Sequence, residues 1–126
     1  MNTQTFYICA HCGNMAVMML NHGPPLVCCG EKMQALAPNT VDASAEKHVP
    51  AVRFENGVLA VSIGAAPHPM EDAHHIEFIY IATQKGGQRK PLRPGGPAEA
   101  KFMFIDDAPV TVYAYCNLHG LWAAEI

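Results

Sequence analysis

Ala51-Val52-Arg53-Phe54-Glu55-Asn56-Gly57-Val58-Leu59-Ala60-Val61-Ser62-Ile63 decides the fold. Two strand-like runs, residues 51–54 and 58–63, flank Glu55-Asn56-Gly57. Asn-Gly is what a two-residue hairpin turn demands, because both central residues must take positive φ. Residues 76–82, rich in β-branched and aromatic side chains, form the next expected strand. Residues 84–88 read as a turn carrying Gly86-Gly87, and 89–92 as a short strand that Pro91 confines to an edge. After the loop Arg93-Pro94-Gly95-Gly96-Pro97, strands are expected over 98–105, over 110–115 (Val, Thr, Val, Tyr, Ala, Tyr) and over 121–124. About seven short strands, frequent turns and no helical pattern predict a mainly β chain whose residues 46–126 form an antiparallel β-sandwich.

The preceding residues have another character. Residues 1–37 hold Cys9, Cys12, Cys28 and Cys29 among turn formers such as Gly13, Asn14, Gly23 and Gly30. A unit of under roughly 40 residues usually needs a metal, a disulfide or a partner subunit. Residues 38–45, Pro-Asn-Thr-Val-Asp-Ala-Ser-Ala, read as a linker. Cys9-x-x-Cys12 is a metal knuckle, and with Cys28 and Cys29 it offers four soft ligands suited to tetrahedral iron or zinc. Adjacent residues of a strand point to opposite faces, so Cys28 and Cys29 reach one ion only if the backbone bends sharply there, with Gly30 helping. A distorted tetrahedron is expected.

Composition narrows the function classes. The 126 residues are 50% hydrophobic and 15% charged, with a net charge of −3. That excludes a disordered chain, and the lack of a basic stripe argues against nucleic acid as a partner. No apolar run has the length of a membrane span, and residues 1–8 lack the features of a secretory signal. The expected compartment is the cytoplasm, where clustered thiols bind metal more often than they pair; five cysteines also fit a disulfide framework poorly.

The fifth cysteine stands apart. Tyr115-Cys116-Asn117-Leu118-His119-Gly120 aims a thiolate and an imidazole at one point. His48, before Val49-Pro50, and His68, before Pro69, lie beside turns and can join them. His74 and His75 pose a choice: at the start of a strand they face opposite sides, and alternation does not say which one joins. His11 and His22 read as surface residues. Four imidazoles with one thiolate exceed the four ligands of structural zinc. They suit iron with one position open to a small molecule, the thiolate donating electron density. That set points to one-electron chemistry on a small oxygen species.

These blocks, in this order, resemble desulfoferrodoxin, the two-iron form of superoxide reductase. Cys9-x-x-Cys12-Gly13-Asn14 and Cys28-Cys29-Gly30 resemble its desulforedoxin-type domain. Glu46-Lys47-His48-Val49-Pro50, His68-Pro69-Met70, His74 and Cys116-Asn117-Leu118-His119-Gly120-Leu121-Trp122 resemble its catalytic domain. The resemblance implies an immunoglobulin-like sandwich carrying one iron on His48, His68, His74, His119 and Cys116. It assigns the ligand to His74 rather than His75. It also implies a rubredoxin-like iron on Cys9, Cys12, Cys28 and Cys29.

The implied activity is reduction of superoxide to hydrogen peroxide. Lys47 would attract the anion and order a proton-donating water, and Glu46 would bind the oxidised iron. Implied partners are superoxide, a rubredoxin-like electron donor and a second copy of the chain, which would cover Val17, Met18 and Leu26. Ala73 stands where many members have lysine, His75 where tyrosine is usual, and Phe78 where tryptophan is usual. The competing readings are a non-enzymatic iron electron-transfer protein and a zinc-stapled binding module.

Overall fold

The structure, a computed structural model, describes residues 3–40, 48–64 and 67–126. Glu46 and Lys47 lie outside these residues, as does the greater part of the expected linker. The chain divides into two compact units, one formed by Gln4–Ala37 and the other by the chain from Pro38 onward.

The small unit is built from five two-residue strands: β1 (Tyr7–Ile8), β2 (Met15–Ala16), β3 (Val27–Cys28), β4 (Glu31–Lys32) and β5 (Gln34–Ala35). They form a three-stranded sheet in the order β2-β1-β5 and a separate β3-β4 hairpin. Strands this short leave no mark in the sequence, since pairs of residues cannot show a period of two. Phe6 and Cys9 are the buried apolar residues of this unit among those described. So little buried surface leaves the unit dependent on its cysteines.

The larger unit is the expected antiparallel, immunoglobulin-like sandwich. Its strands are β6 (Pro50–Glu55), β7 (Val58–Ile63), β8 (Ile76–Thr83), β9 (Gly87–Pro91), β10 (Glu99–Met103), β11 (Pro109–Cys116) and β12 (Gly120–Glu125). One sheet runs β10-β7-β6 and the other β12-β11-β8-β9. The described residues include no helix, and none long and apolar enough to cross a membrane.

The opening hairpin forms where the sequence places it. Glu55 pairs with Val58, and Asn56 and Gly57 take φ of 52° and 77°, as a two-residue turn of this hand requires. Pro91 ends the edge strand β9. The turn before β9 is shorter than expected, because Gly87 already belongs to the strand. A Cβ at that position would lie 2.1 Å from the Tyr80 hydroxyl, so any other residue there would have to displace the Tyr80 ring.

Alternation fills the core. Leu59, Val61 and Ile63 of β7 point inward against Ile76, Ile79, Ile81, Phe102, Val112 and Ala114. Each of these side chains larger than alanine contributes about 1.5–3 kcal/mol on burial. Cys116 ends this cluster and is itself 0% exposed. The β8–β11 register shifts by one residue between Tyr115 and Cys116. Cys116 therefore faces Ile76, and Glu77 turns out to solvent. This bulge keeps a carboxylate away from the buried thiol.

Candidate metal centres

In the small unit, Cys9 follows β1 and begins a tight loop. Gly13 N–H donates to the Cys9 carbonyl at 3.0 Å, Cys9 N–H to the Asn14 carbonyl at 2.9 Å, and Cys12 N–H to Cys9 Sγ at 3.5 Å. Gly13 takes φ of 82°, which lets the loop close. Cys28 ends β3, and Cys29-Gly30 are the two central residues of the β3–β4 hairpin, with φ of 53° and 75°. This is the bend the sequence demanded: a turn with two left-handed residues brings both thiols to one side.

The four sulfurs lie within 4.8 Å of one another, and Cys12 Sγ is 3.6 Å from Cys28 Sγ. Tetrahedral thiolates about 2.3 Å from an ion would stand about 3.8 Å apart, so the spacing fits one ion. All five cysteines of the chain are free thiols. The backbone N–H groups of Cys12 and His11 pull Cys9 down to about 6, whereas Cys12, Cys9 and Cys28 together push Cys29 up to about 12. Cys12 likewise pushes Cys28 up. Four thiolates cannot gather without a cation, so the donor set calls for a metal whose binding releases protons. His11 and His22 are exposed, and His11 Nε2 meets Glu31 Oε2 at 2.7 Å.

In the sandwich, His48 lies two residues before β6, and His68 and His74 lie on the connection from β7 to β8. Cys116 ends β11, and His119 lies in the turn to β12, which Gly120 closes at φ of 85°. The four imidazoles form a closed ring. Centroid distances are 4.8 Å for His48–His68, 4.9 Å for His68–His74, 5.1 Å for His74–His119 and 4.9 Å for His48–His119, with every pair edge to face.

Donor atoms of His48, His68, His74 and Cys116 lie within 4.8 Å of one another, and Cys116 Sγ is 3.7 Å from His119 Nδ1. His48 Nε2 and His119 Nδ1 stand 3.1 Å apart. Neighbouring nitrogens in a plane around an ion, each about 2.1 Å from it, would be about 3.0 Å apart. This set of four imidazoles and one thiolate therefore fits a single metal ion.

Supporting contacts fix ring orientation. His68 Nδ1 donates to the Pro69 carbonyl at 2.8 Å, which leaves the Nε2 lone pair for a metal. Nε2 of His68 and of His74 are shut off from solvent. The Trp122 indole stacks on His48 at 4.6 Å and 12°, and its Nε1–H donates to the His119 carbonyl at 3.2 Å. His48, His68 and Cys116 are buried, and His119 is exposed, so the ring of imidazoles reaches the surface with the thiol behind. His75 engages elsewhere: its Nδ1 meets the Glu71 carbonyl at 2.9 Å and its Nε2 pairs with the Glu77 carboxylate. Trp122 and Asn117 are supports that the sequence marks only by their places within the Cys116-to-Trp122 block.

The comparisons with known proteins agree with these two clusters. The family model for desulfoferrodoxin matches residues 40–125. The chain belongs to the desulfoferrodoxin family. It is 40% identical over 124 residues to a desulfoferrodoxin of Nitratidesulfovibrio vulgaris, covering 98% of both chains. It is 34% identical over 103 residues to a superoxide reductase of Pyrococcus horikoshii, covering 68% of this chain and 90% of that one. Its fold is similar to the crystal structure of the superoxide reductase from Treponema pallidum, with a TM-score of 0.85 and 30% identity over 99% of this chain and 100% of that one.

Membership in this family, with a four-cysteine cluster and a histidine–cysteine cluster, gives the chain two iron sites. It also places the chain among oxidoreductases.

Proposed function

We propose that the chain is a superoxide reductase that converts superoxide, one electron and two protons into hydrogen peroxide, without forming dioxygen. The closed ring of four imidazoles with the buried Cys116 beside it carries this reading, because these residues would hold an iron while the exposed His119 side stays open to a small anion. His48, His68, His74, His119 and Cys116 would hold one iron, and Cys9, Cys12, Cys28 and Cys29 the other. Iron, when bound there, would supply the single electron, and the Cys116 thiolate would favour its release.

The remaining work falls to the chain. The core around Cys116 keeps water from the thiol. His68, through the Pro69 carbonyl, and His48, against Trp122, hold their rings in one orientation. Lys47 draws the anion toward the exposed side and orders a water that delivers protons. Glu46 would offer its carboxylate as a hard oxygen donor. Residues 1–37 form the cysteine iron domain, 38–45 the linker and 46–126 the reductase domain.

A rubredoxin-like protein of the cytoplasm returns the electron. A second copy of the chain covers the small unit, where Val17, Met19, Leu20 and Val27 are exposed.

The test is product stoichiometry. The reduced, iron-loaded chain is mixed with pulse-generated superoxide, and peroxide and dioxygen are measured. One peroxide per superoxide without dioxygen is expected. Dioxygen at half the superoxide consumed would mean dismutation, and no reaction would leave electron transfer as the function.

A further inference from the structure

The segment bearing His74 is tied to the β11–β12 turn as well as to itself. Residues 67–75 form no regular strand; inside the turn Glu71 and His74 exchange main-chain bonds at 2.9 and 3.1 Å, and His75 Nδ1 meets the Glu71 carbonyl at 2.9 Å. Asn117, which lies between the two site residues of the β11–β12 turn, reaches across to this segment three times. Its Oδ1 accepts from His75 N–H at 2.9 Å, and its Nδ2 donates to the Ala73 carbonyl at 3.0 Å. Its own N–H donates to the His75 carbonyl at 3.2 Å. Ala73 and His75 are the immediate neighbours of His74, and Cys116 is the immediate neighbour of Asn117.

We propose that Asn117 is a positioning residue that sets the His74 imidazole against Cys116 and His119, and so tunes the histidine iron site. This rests on the ligand assignment proposed above. The chemistry asks for an amide and nothing shorter. One end must accept from a main-chain N–H while the other donates to a main-chain carbonyl two residues earlier. Aspartate keeps the acceptor and loses the donor. Alanine loses both, and each variant retains the main-chain bond from residue 117.

The experiment compares Asn117→Ala, Asn117→Asp and His74→Ala in the full chain at equal iron loading. The readouts are the thiolate-to-iron absorption of the oxidised protein, the reduction potential of that site, and its iron affinity by chelator competition. Asn117→Ala is expected to shift the band and the potential and to weaken iron binding about 10–100-fold, the usual effect of removing an outer partner of a ligand. Asn117→Asp should fall between alanine and the native chain. The absorption of the four-cysteine iron should not change in any of them.

A band, potential and affinity equal to the native values in Asn117→Ala would overturn the proposal. If the alanine variant does not fold, native values in Asn117→Asp would do the same. His74→Ala separates the two levels. If it alters the band and Asn117→Ala does not, only the positioning role falls. If His74→Ala leaves the band intact, the ligand assignment falls and the proposal with it.

Discussion

Gly30→Ala should loosen the cysteine site by an amount the backbone alone determines. Gly30 has φ of 75°, and no heavy atom lies within 4 Å of where a Cβ would be. Sterics therefore contribute nothing, and the cost is that of a left-handed L-residue, about 1–2 kcal/mol. A stiffer unfolded chain returns about 0.4–1 kcal/mol, leaving a loss of about 1 kcal/mol. Folding of so small a unit is linked to metal binding, so the loss appears as roughly fivefold weaker iron retention at the cysteine site.

Gly57→Ala is the matched control. It has the same turn geometry, with φ of 77°, and is equally open, but it lies in the sandwich. It should lower sandwich stability by about the same 1 kcal/mol and leave the cysteine iron alone. Asparagine at position 30 should cost less than alanine, since it tolerates this region better. Chelator competition followed by visible absorbance reads the first effect, and urea unfolding the second. Equal iron retention in native, alanine and asparagine chains would refute the reasoning, because the bend would then not depend on the left-handed residue.

Three further outcomes follow from the sandwich. Cys116→Ser should abolish the thiolate-to-iron absorption of the oxidised chain, and a surviving band would remove Cys116 from the ligand set. Removing iron by chelation should raise the fluorescence of Trp122, the single tryptophan, because its indole stacks on His48; an unchanged spectrum would contradict that contact. Asp107 is held below the usual carboxylate range, first by the Thr83 hydroxyl, which donates at 2.6 Å, and further by the N–H groups of Ala108 and Lys85. A depressed pKa contributes stability that is present above the unfolded value of about 3.9 and lost as pH falls through the folded value. Native chain should therefore lose stability on acidification below about pH 4 more steeply than Asp107→Asn, as read by thermal midpoints at stepped pH; identical slopes would assign Asp107 no such role.

What the sequence made legible was local chemistry with a rigid geometric consequence. Asn56-Gly57 specifies a turn hand, and so a hairpin and an antiparallel sheet. Cys28-Cys29-Gly30 looked awkward for one ion, and that awkwardness named the bend. Other features need three dimensions. Two-residue strands carry no period. The one-residue bulge at Glu77 has no local signal, yet it decides whether a carboxylate or Ile76 faces Cys116. Strand alternation cannot choose between His74 and His75, because both precede β8, which begins at Ile76. Asn39, within the expected linker, forms a parallel bridge to Trp122, a pairing across a long sequence separation that no local pattern announces.

The charge distribution gives the proposed role of Lys47 a test of sign. The chain carries a net charge of −3, so as a whole it repels superoxide. Ala73 adds no cation beside His74. If one lysine near the exposed side dominates the encounter, salt screens an attraction and the second-order rate falls as ionic strength rises. Without that lysine, the distant negative charge is what remains. In Lys47→Ala the rate at low salt should therefore drop, and its dependence on salt should flatten or turn upward. The informative range lies below about 0.1 M, where the screening length exceeds about 10 Å and a local cation can still act on an approaching anion. A Lys47→Arg variant, which keeps the charge, should retain the downward slope. If native chain and Lys47→Ala share one slope, steering does not come from position 47, and the exposed imidazole edge at His119 must admit the anion unaided.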